Sequence, residues 1–190
     1  RGCTELQSAG IEVVVGEDAE EAREFYEAYA KHVNTGIPFV TAKFAMSLDG
    51  KIATSTGDAK WVTGAASRSV VQQMRRESDA VLVGVNTVVA DDPQLTARDG
   101  EGNPLPRQPL RVVVDSQCRM PSNAQILKQP GITLVATTQS APQVGMDQLL
   151  KAGAEVVPLP AEEGGRVGME ALLAELGRRG VVSLLAEGGG

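Results

Sequence analysis

The chain has almost nothing with which to bind a transition metal. Its 190 residues include one histidine, His32, and two cysteines, Cys3 and Cys118, far apart in sequence. That set excludes a zinc site of the usual Cys/His kind and a disulfide framework. Two isolated cysteines fit a reducing compartment, so a cytoplasmic location is expected. Aromatic residues are scarce too, with three Phe, two Tyr and one Trp, and the cations form no run. A nucleic-acid surface wants clustered cations and stacking rings, so that class of partner is excluded. The net charge is −6, with both signs spread along the chain. No apolar stretch approaches the ~20 residues of a membrane span. Residues 1–10 are polar and lack the apolar centre of a signal peptide.

What is present is a chain long enough for one good core and a small appendage. Short apolar runs alternate with helical patterns. Residues 11–15, IEVVV, read as a strand. Asp18 with Glu21 three positions on has the capping-box pattern, and Ala22, Phe25, Tyr26, Tyr29 and Val33 follow at helical spacing up to a stop at Gly36. His32, near the end of that helix, is expected in solvent. Further strands are expected at 79–85, 110–115, 132–137, 154–158 and 181–186, and helices at 64–76, around 145–152 and from 169 to about 177. Ala66, Val70, Val71 and Met74 form the apolar stripe of the first of these helices. The polar segment 98–109, with two glycines and several prolines, reads as a mobile loop. Strands alternating with helices predict an α/β fold built on a layered, mostly parallel sheet flanked by helices.

The stretch 41–63, TAKFAMSLDGKIATSTGDAKWVT, organises the rest. Val40, Ala42, Phe44, Met46 and Leu48 alternate with Thr41, Lys43, Ala45, Ser47 and Asp49, which predicts a strand running from 40 to 48 with one apolar face. Asp49-Gly50 then reads as a turn. Lys43 is a cation on the strand; a buried lysine is costly to desolvate and is rarely placed in a core without a reason, while on an edge strand it can simply lie in solvent. At the other end of the chain an apolar strand runs into Glu187-Gly188-Gly189-Gly190. Glycines let the backbone approach a phosphate closely, although the full dinucleotide fingerprint is lacking.

Four blocks together carry a resemblance: SLDGKIA with the following G-x-x-x-W-V-T, then GVNTVVADDPQLTAR at 84–98, VVVDSQ at 112–117, and the terminal AEGGG. They resemble the C-terminal reductase domain of the bifunctional deaminase/reductase of riboflavin biosynthesis. That resemblance implies a dihydrofolate-reductase-like fold over 38–190, shortened at its C-terminus relative to the family, with 1–37 as the tail of a deaminase domain and linker. It implies a zinc deaminase domain upstream in a longer protein; the H-x-E…P-C-x-x-C signature of that chemistry is absent from this sequence. It also implies a homodimer, and NADPH-dependent reduction of the ribosyl group of a phosphorylated ribosylaminopyrimidine to ribityl.

Residue by residue, the resemblance places Lys43 and Glu187 in catalysis. Ala59, Arg75, Leu95, Arg98 and Glu187 would meet the substrate, with Arg75 and Arg98 on its 5′-phosphate. Ala59 stands where relatives carry a serine. Ala45, Trp61, Thr87, Asp91, Ser116, Gly189 and Gly190 would meet NADPH, and no metal is implied. Arg119 is the only arginine near Ser116 in sequence, and the choice of NADPH over NADH comes from the family alone. Each residue also has a bland role: Arg75 near a helix C-terminus suits the dipole, Trp61 suits a core, and Asp91 suits a turn before Pro93. Two alternatives stand beside the reductase: a dihydrofolate-reductase-like enzyme of another substrate, and a nucleotide-binding module without turnover.

Overall fold

The computed structural model describes residues 1–54 and 62–188. Six strands form one sheet: β1 (Phe39–Lys43), β2 (Ala80–Gly84), β3 (Leu110–Val114), β4 (Thr133–Thr138), β5 (Glu155–Leu159) and β6 (Ser183–Glu187). Their spatial order is β1-β6-β2-β3-β4-β5, and every pairing between these strands is parallel. The helices are α1 (Gly2–Ser8), α2 (Ala19–Phe25), α3 (Glu27–Thr35), α4 (Ala65–Glu77), α5 (Val85–Asp91), α6 (Gln143–Lys151) and α7 (Met169–Arg178), with a 3-10 turn at Gln125–Lys128. The α/β architecture expected from the alternation of runs is the one found.

The central strands are short, continuous apolar runs because both of their faces are covered. Alternation then sorts the side chains. Val81, Val83, Val113, Val135 and Leu185 point to one core, closed by Val88 of α5, Ile126 and Leu149 of α6. Ala80, Val112, Leu134, Ala136 and Leu184 point to the other, closed by Leu172 and Leu176 of α7. At the amino ends of the strands Asp79 ties the sheet together. Its Oδ2 accepts from Val182 N at 3.1 Å, Ser183 N at 3.0 Å and Ser183 Oγ at 3.1 Å, and its carbonyl accepts from Leu110 N. Arg111 is buried, and no carboxylate pairs with it among the described residues. Its guanidinium donates instead to Thr133 Oγ1 and to the carbonyls of Gln129, Pro130 and Gly131, and burial lowers its pKa.

Several expectations are corrected. Residues 11–15 form no strand; β-branched residues suit a pleated surface, but no sheet edge runs beside them. The predicted single helix is broken at Tyr26 into α2 and α3, and Asp18 sits at φ 54° with no side-chain capping bond. Gly36 does close α3 in the left-handed conformation, φ 74°. His32 is half-buried rather than solvated, and its Nδ1 is buried with no hydrogen-bond partner among the described residues. β1 stops at Lys43, because its one partner, β6, ends its register opposite that residue. Phe44, Met46 and Leu48 beyond it are exposed. The Asp49-Gly50 turn is present, with Gly50 N donating to Ser47 O at 2.9 Å and Ser47 Oγ to Asp49 Oδ1 at 2.5 Å. On α4 Val71 and Met74 are half-buried while Ala66 and Val70 are exposed. The segment 98–109 is held by bonds rather than loose: Asp99 Oδ1 accepts from the N–H groups of Glu101 and Asn103, and Gln108 pairs with both backbone groups of Ala97.

One close approach fixes how the first helices meet the sheet. Gly177 of α7 lies against the backbone of Gly36, and a Cβ added there would stand 1.8 Å from Gly36 O. Gly177→Ala is therefore expected to force α3 and α7 apart and to destabilise the fold by about 1–3 kcal/mol, the usual cost of overpacking. A urea unfolding series checks this, and an unchanged midpoint would show that the two backbones part freely.

Candidate active site at the carboxyl ends of the strands

The parallel register of β1 and β6 sets Lys43 directly opposite Glu187, at the last paired position of both strands. Glu187 is 8% exposed. A carboxylate that far from water needs cations and donors, and it has them. Arg75, in the last turn of α4, presents the edge of its guanidinium: Nε donates to Oε1 at 2.6 Å and Nη2 to Oε2 at 2.9 Å. This is the two-bond fork that makes arginine–carboxylate pairs strong. Lys43 Nζ stands 3.8 Å from Oε2. The third edge of Arg75 reaches Thr96 O at 3.5 Å, and Thr96 Oγ1 in turn accepts from Arg98 Nε at 2.8 Å. Arg98 also donates to Gln94 Oε1.

Two clefts meet at this cluster. One, of about 190 Å3, is lined by Lys43, Ala45, Arg75, Thr87, Asp91, Leu95, Glu187 and Gly188, among others. Thr87 and Asp91 face it together because they lie four residues apart on α5. The second, of about 300 Å3, shares Lys43, Ala45, Arg75 and Glu187 and extends along α4 past Gln72, Arg68 and Val62. The ionic cluster is thus the wall common to both. A larger groove of about 600 Å3 lies at the amino ends of the strands, against Asp79, Arg107 and Ile132. None of the described candidate residues lines it, and Arg107 there is paired with Asp79. Open α/β sheets place ligands at the carboxyl ends, which is where the candidate residues gather.

Of the residues singled out in the sequence, Lys43, Ala45, Arg75, Thr87, Asp91, Leu95 and Glu187 border one cleft. Arg98 lies beside it, lining a groove with Gln72 and Arg76 of α4. Ser116 stands apart at the end of β3, where its Oγ accepts from Val167 N at 3.0 Å. Ala59, Trp61, Gly189 and Gly190 lie outside the described residues. Sequence reasoning treated Arg75 as a phosphate ligand or a dipole partner; its fork is engaged by Glu187. It missed Gln72, whose Oε1 accepts from Arg98 N at 3.1 Å. The available signal was helical spacing, since Gln72 lies one turn before Arg75 and Arg76. It also missed Asp115, buried at the end of β3 with its carboxylate on Met120 N at 2.7 Å.

The sheet with helices on both faces and a polar cluster at its carboxyl ends is of the dihydrofolate-reductase-like class. Within that class, the chain belongs to the RibD C-terminal domain family, whose model matches residues 38–190. It is 39% identical to the riboflavin biosynthesis protein RibD of Chlamydia trachomatis over 190 residues, covering all of this chain and 50% of that one. It is 41% identical to a 2,5-diamino-6-ribosylamino-4(3H)-pyrimidinone 5′-phosphate reductase of Archaeoglobus fulgidus, over 80% of this chain and 71% of that protein. The crystal structure of a diaminohydroxyphosphoribosylaminopyrimidine deaminase/5-amino-6-(5-phosphoribosylamino)uracil reductase from Thermotoga maritima superposes with a TM-score of 0.79 at 33% identity, over 99% of this chain and 49% of that one. The chain spans about half the length of the RibD proteins it matches. No helix among the described residues is long and apolar enough to cross a membrane.

The fork between Arg75 and Glu187 is mostly buried, so removing one partner strands the other. Arg75→Met is expected to cost about 3–5 kcal/mol of folding stability. Adding Glu187→Gln to it is expected to restore part of the loss, giving a coupling above about 0.5 kcal/mol in a double-mutant cycle. Denaturant titration of the four proteins measures it; additive losses would mean that the two side chains act independently.

Proposed function

We propose that the chain is a reductase acting on a phosphorylated ribosylaminopyrimidine, 5-amino-6-(5-phosphoribosylamino)uracil or its diamino precursor, with NADPH as reductant, in cytoplasmic riboflavin biosynthesis. The observation that carries this is the convergence of Lys43, Arg75 and Glu187 beside Ala45, Thr87 and Asp91 at the carboxyl ends of the strands. The relatives' names supply the substrate class. We further propose that the unit works as a homodimer, that 38–190 is the reductase domain, and that in the longer protein a zinc deaminase domain precedes it.

The cleft is compatible with a nicotinamide ring. Ala45 contributes only a methyl group to its wall, Ile52, Val83 and Pro93 give it apolar surface, and Thr87 and Asp91 give it hydrogen-bonding groups. Bound there, the cofactor would supply a hydride. Conversion of ribosyl to ribityl needs that hydride at C1′ and a proton at the ring oxygen: the C1′–O bond breaks, C1′ becomes a CH2 group on the nitrogen, and the oxygen remains on C4′ as a hydroxyl. Lys43 would donate the proton, with its ammonium kept at the cleft by Glu187, 3.8 Å away. Arg75, engaged with Glu187, positions that carboxylate and keeps one nitrogen toward Thr96. Arg98 suits the 5′-phosphate, since its side-chain hydrogen bonds among the described residues go to Thr96 Oγ1 and Gln94 Oε1, both neutral. Leu95 would add backbone contact to the substrate, and Ala59 belongs to the substrate site by the family resemblance alone. Trp61, Ser116, Gly189 and Gly190 would complete the cofactor site.

Following NADPH absorbance as the ribosylaminopyrimidine phosphate is added tests the proposal. Saturable oxidation is expected. Arg98→Ala should raise KM for the phosphorylated substrate about ten- to hundredfold, the worth of a charge-assisted contact, without a comparable effect on a dephosphorylated analogue. Lys43→Ala should lower kcat by about 10²–10⁴, the range for a lost acid. Cofactor binding with no oxidation would favour the nucleotide-binding module instead.

A further inference from the structure

We infer that Gln72 selects a ribosyl over a deoxyribosyl substrate, by donating from its side-chain amide to a sugar hydroxyl at C2′ or C3′; the inference rests on the reductase reading above. That reading puts C1′ beside Lys43 and the 5′-phosphate at Arg98. It names no side chain for the hydroxyls between them.

The position follows from α4. Gln72 lies one turn before Arg75, so the two share a face of the helix. With Lys43, Arg75 and Glu187 it lines the cleft of about 300 Å3. It also lines the neighbouring groove of about 510 Å3, together with Arg76 and Arg98. Among the described residues Gln72 and Arg68 are the two that line both. A sugar with one end at Lys43 and the other at Arg98 passes this part of α4.

The amide is held, and its orientation is fixed. Three bonds tie α4 to the segment 96–98: Arg75 Nη1 donates to Thr96 O at 3.5 Å, Arg98 N to Gln72 Oε1 at 3.1 Å, and Arg76 Nη2 to Arg98 O at 3.2 Å. A backbone N–H can only donate, so the amide atom that meets Arg98 N is the oxygen, and the NH2 group is left for another partner. That nitrogen carries two donors, and no hydrogen bond to it is present among the described residues. Gln72 is half-buried. The carboxylate nearest in the cleft, Glu187, has its oxygens on Arg75 and Lys43. A hydroxyl of the sugar supplies the acceptor that the amide lacks, and a CH2 group at the same carbon does not.

NADPH oxidation measured with the ribosylaminopyrimidine phosphate and with its 2′-deoxy and 3′-deoxy analogues decides the matter, read as the ratio of kcat/KM for parent over analogue. For wild type, a ratio of about three- to tenfold is expected for one analogue, the worth of a neutral hydrogen bond. Gln72→Met removes acceptor and donor and should bring that ratio near one. Gln72→Glu keeps an acceptor for Arg98 N but loses the donor, and should do the same. Arg68→Met should not move the ratio. NADPH binding, titrated by fluorescence, should be unchanged in both Gln72 variants, because the cleft assigned to the nicotinamide is not lined by Gln72. A ratio kept by Gln72→Glu and lost by Gln72→Met would mark a tie to the backbone alone and overturn the inference. So would an equal loss on parent and analogues, weakened NADPH binding, or a collapse of the ratio that follows Arg68 instead. Wild type using parent and both analogues equally would overturn the inference and leave the reductase reading standing. Wild type oxidising NADPH with none of them would overturn the reductase reading, and the inference with it.

Discussion

A carboxylate held almost out of water, between an arginine and a lysine, is the constraint on which the carboxyl end of this molecule depends. Glu187 alone at that depth would be costly to keep charged. Its fork with Arg75 draws the last turn of α4 onto the end of the sheet, and its approach to Lys43 sits at the final rung between β1 and β6. Through Thr96 the same arginine reaches the segment that carries Arg98. Three elements separated widely in sequence are thus referred to one pair of oxygens. The two clefts have a common wall because those oxygens have common partners.

The opposite end of the sheet uses a carboxylate differently. Asp79 is spent on backbone N–H groups and on a hydroxyl, and so fixes the starts of β2, β3 and β6. Its cationic partner among the described residues, Arg107, is largely exposed, where an ion pair contributes little. Glu187 has cations for partners and borders open space. One acid holds the scaffold together, while the other lines two clefts.

The inner strands were legible because burial on both faces leaves a plain signature, a run such as AVLVG with turn residues on either side. The outer parts were less so. The alternation from Val40 to Leu48 is real, but a strand lasts only while it has a neighbour, and β6 ends at Glu187. Residues 11–15 have the composition of a strand and no edge to join. α5 passed unnoticed because Val85, Val88 and Val89 favour extended backbone locally, and packing of Val85 and Val88 into the core overrides them. Lys43 and Glu187 stood out as charges at the ends of apolar runs, and motif similarity supplied Thr87, Asp91 and Leu95. The engagement of Arg75 with Glu187 could not be read, because those residues lie 112 positions apart and only the fold shows that they meet.

The contact of Gly177 with Gly36 has a mechanical meaning. Backbone against backbone, with no side chain between, leaves no soft layer to shear. The turn after α3 is therefore seated on α7 like a key in its slot, and β1 begins three residues later. Whatever precedes Gly36 in the polypeptide takes its bearing from α7, and a push on α3 is delivered within one short strand to Lys43.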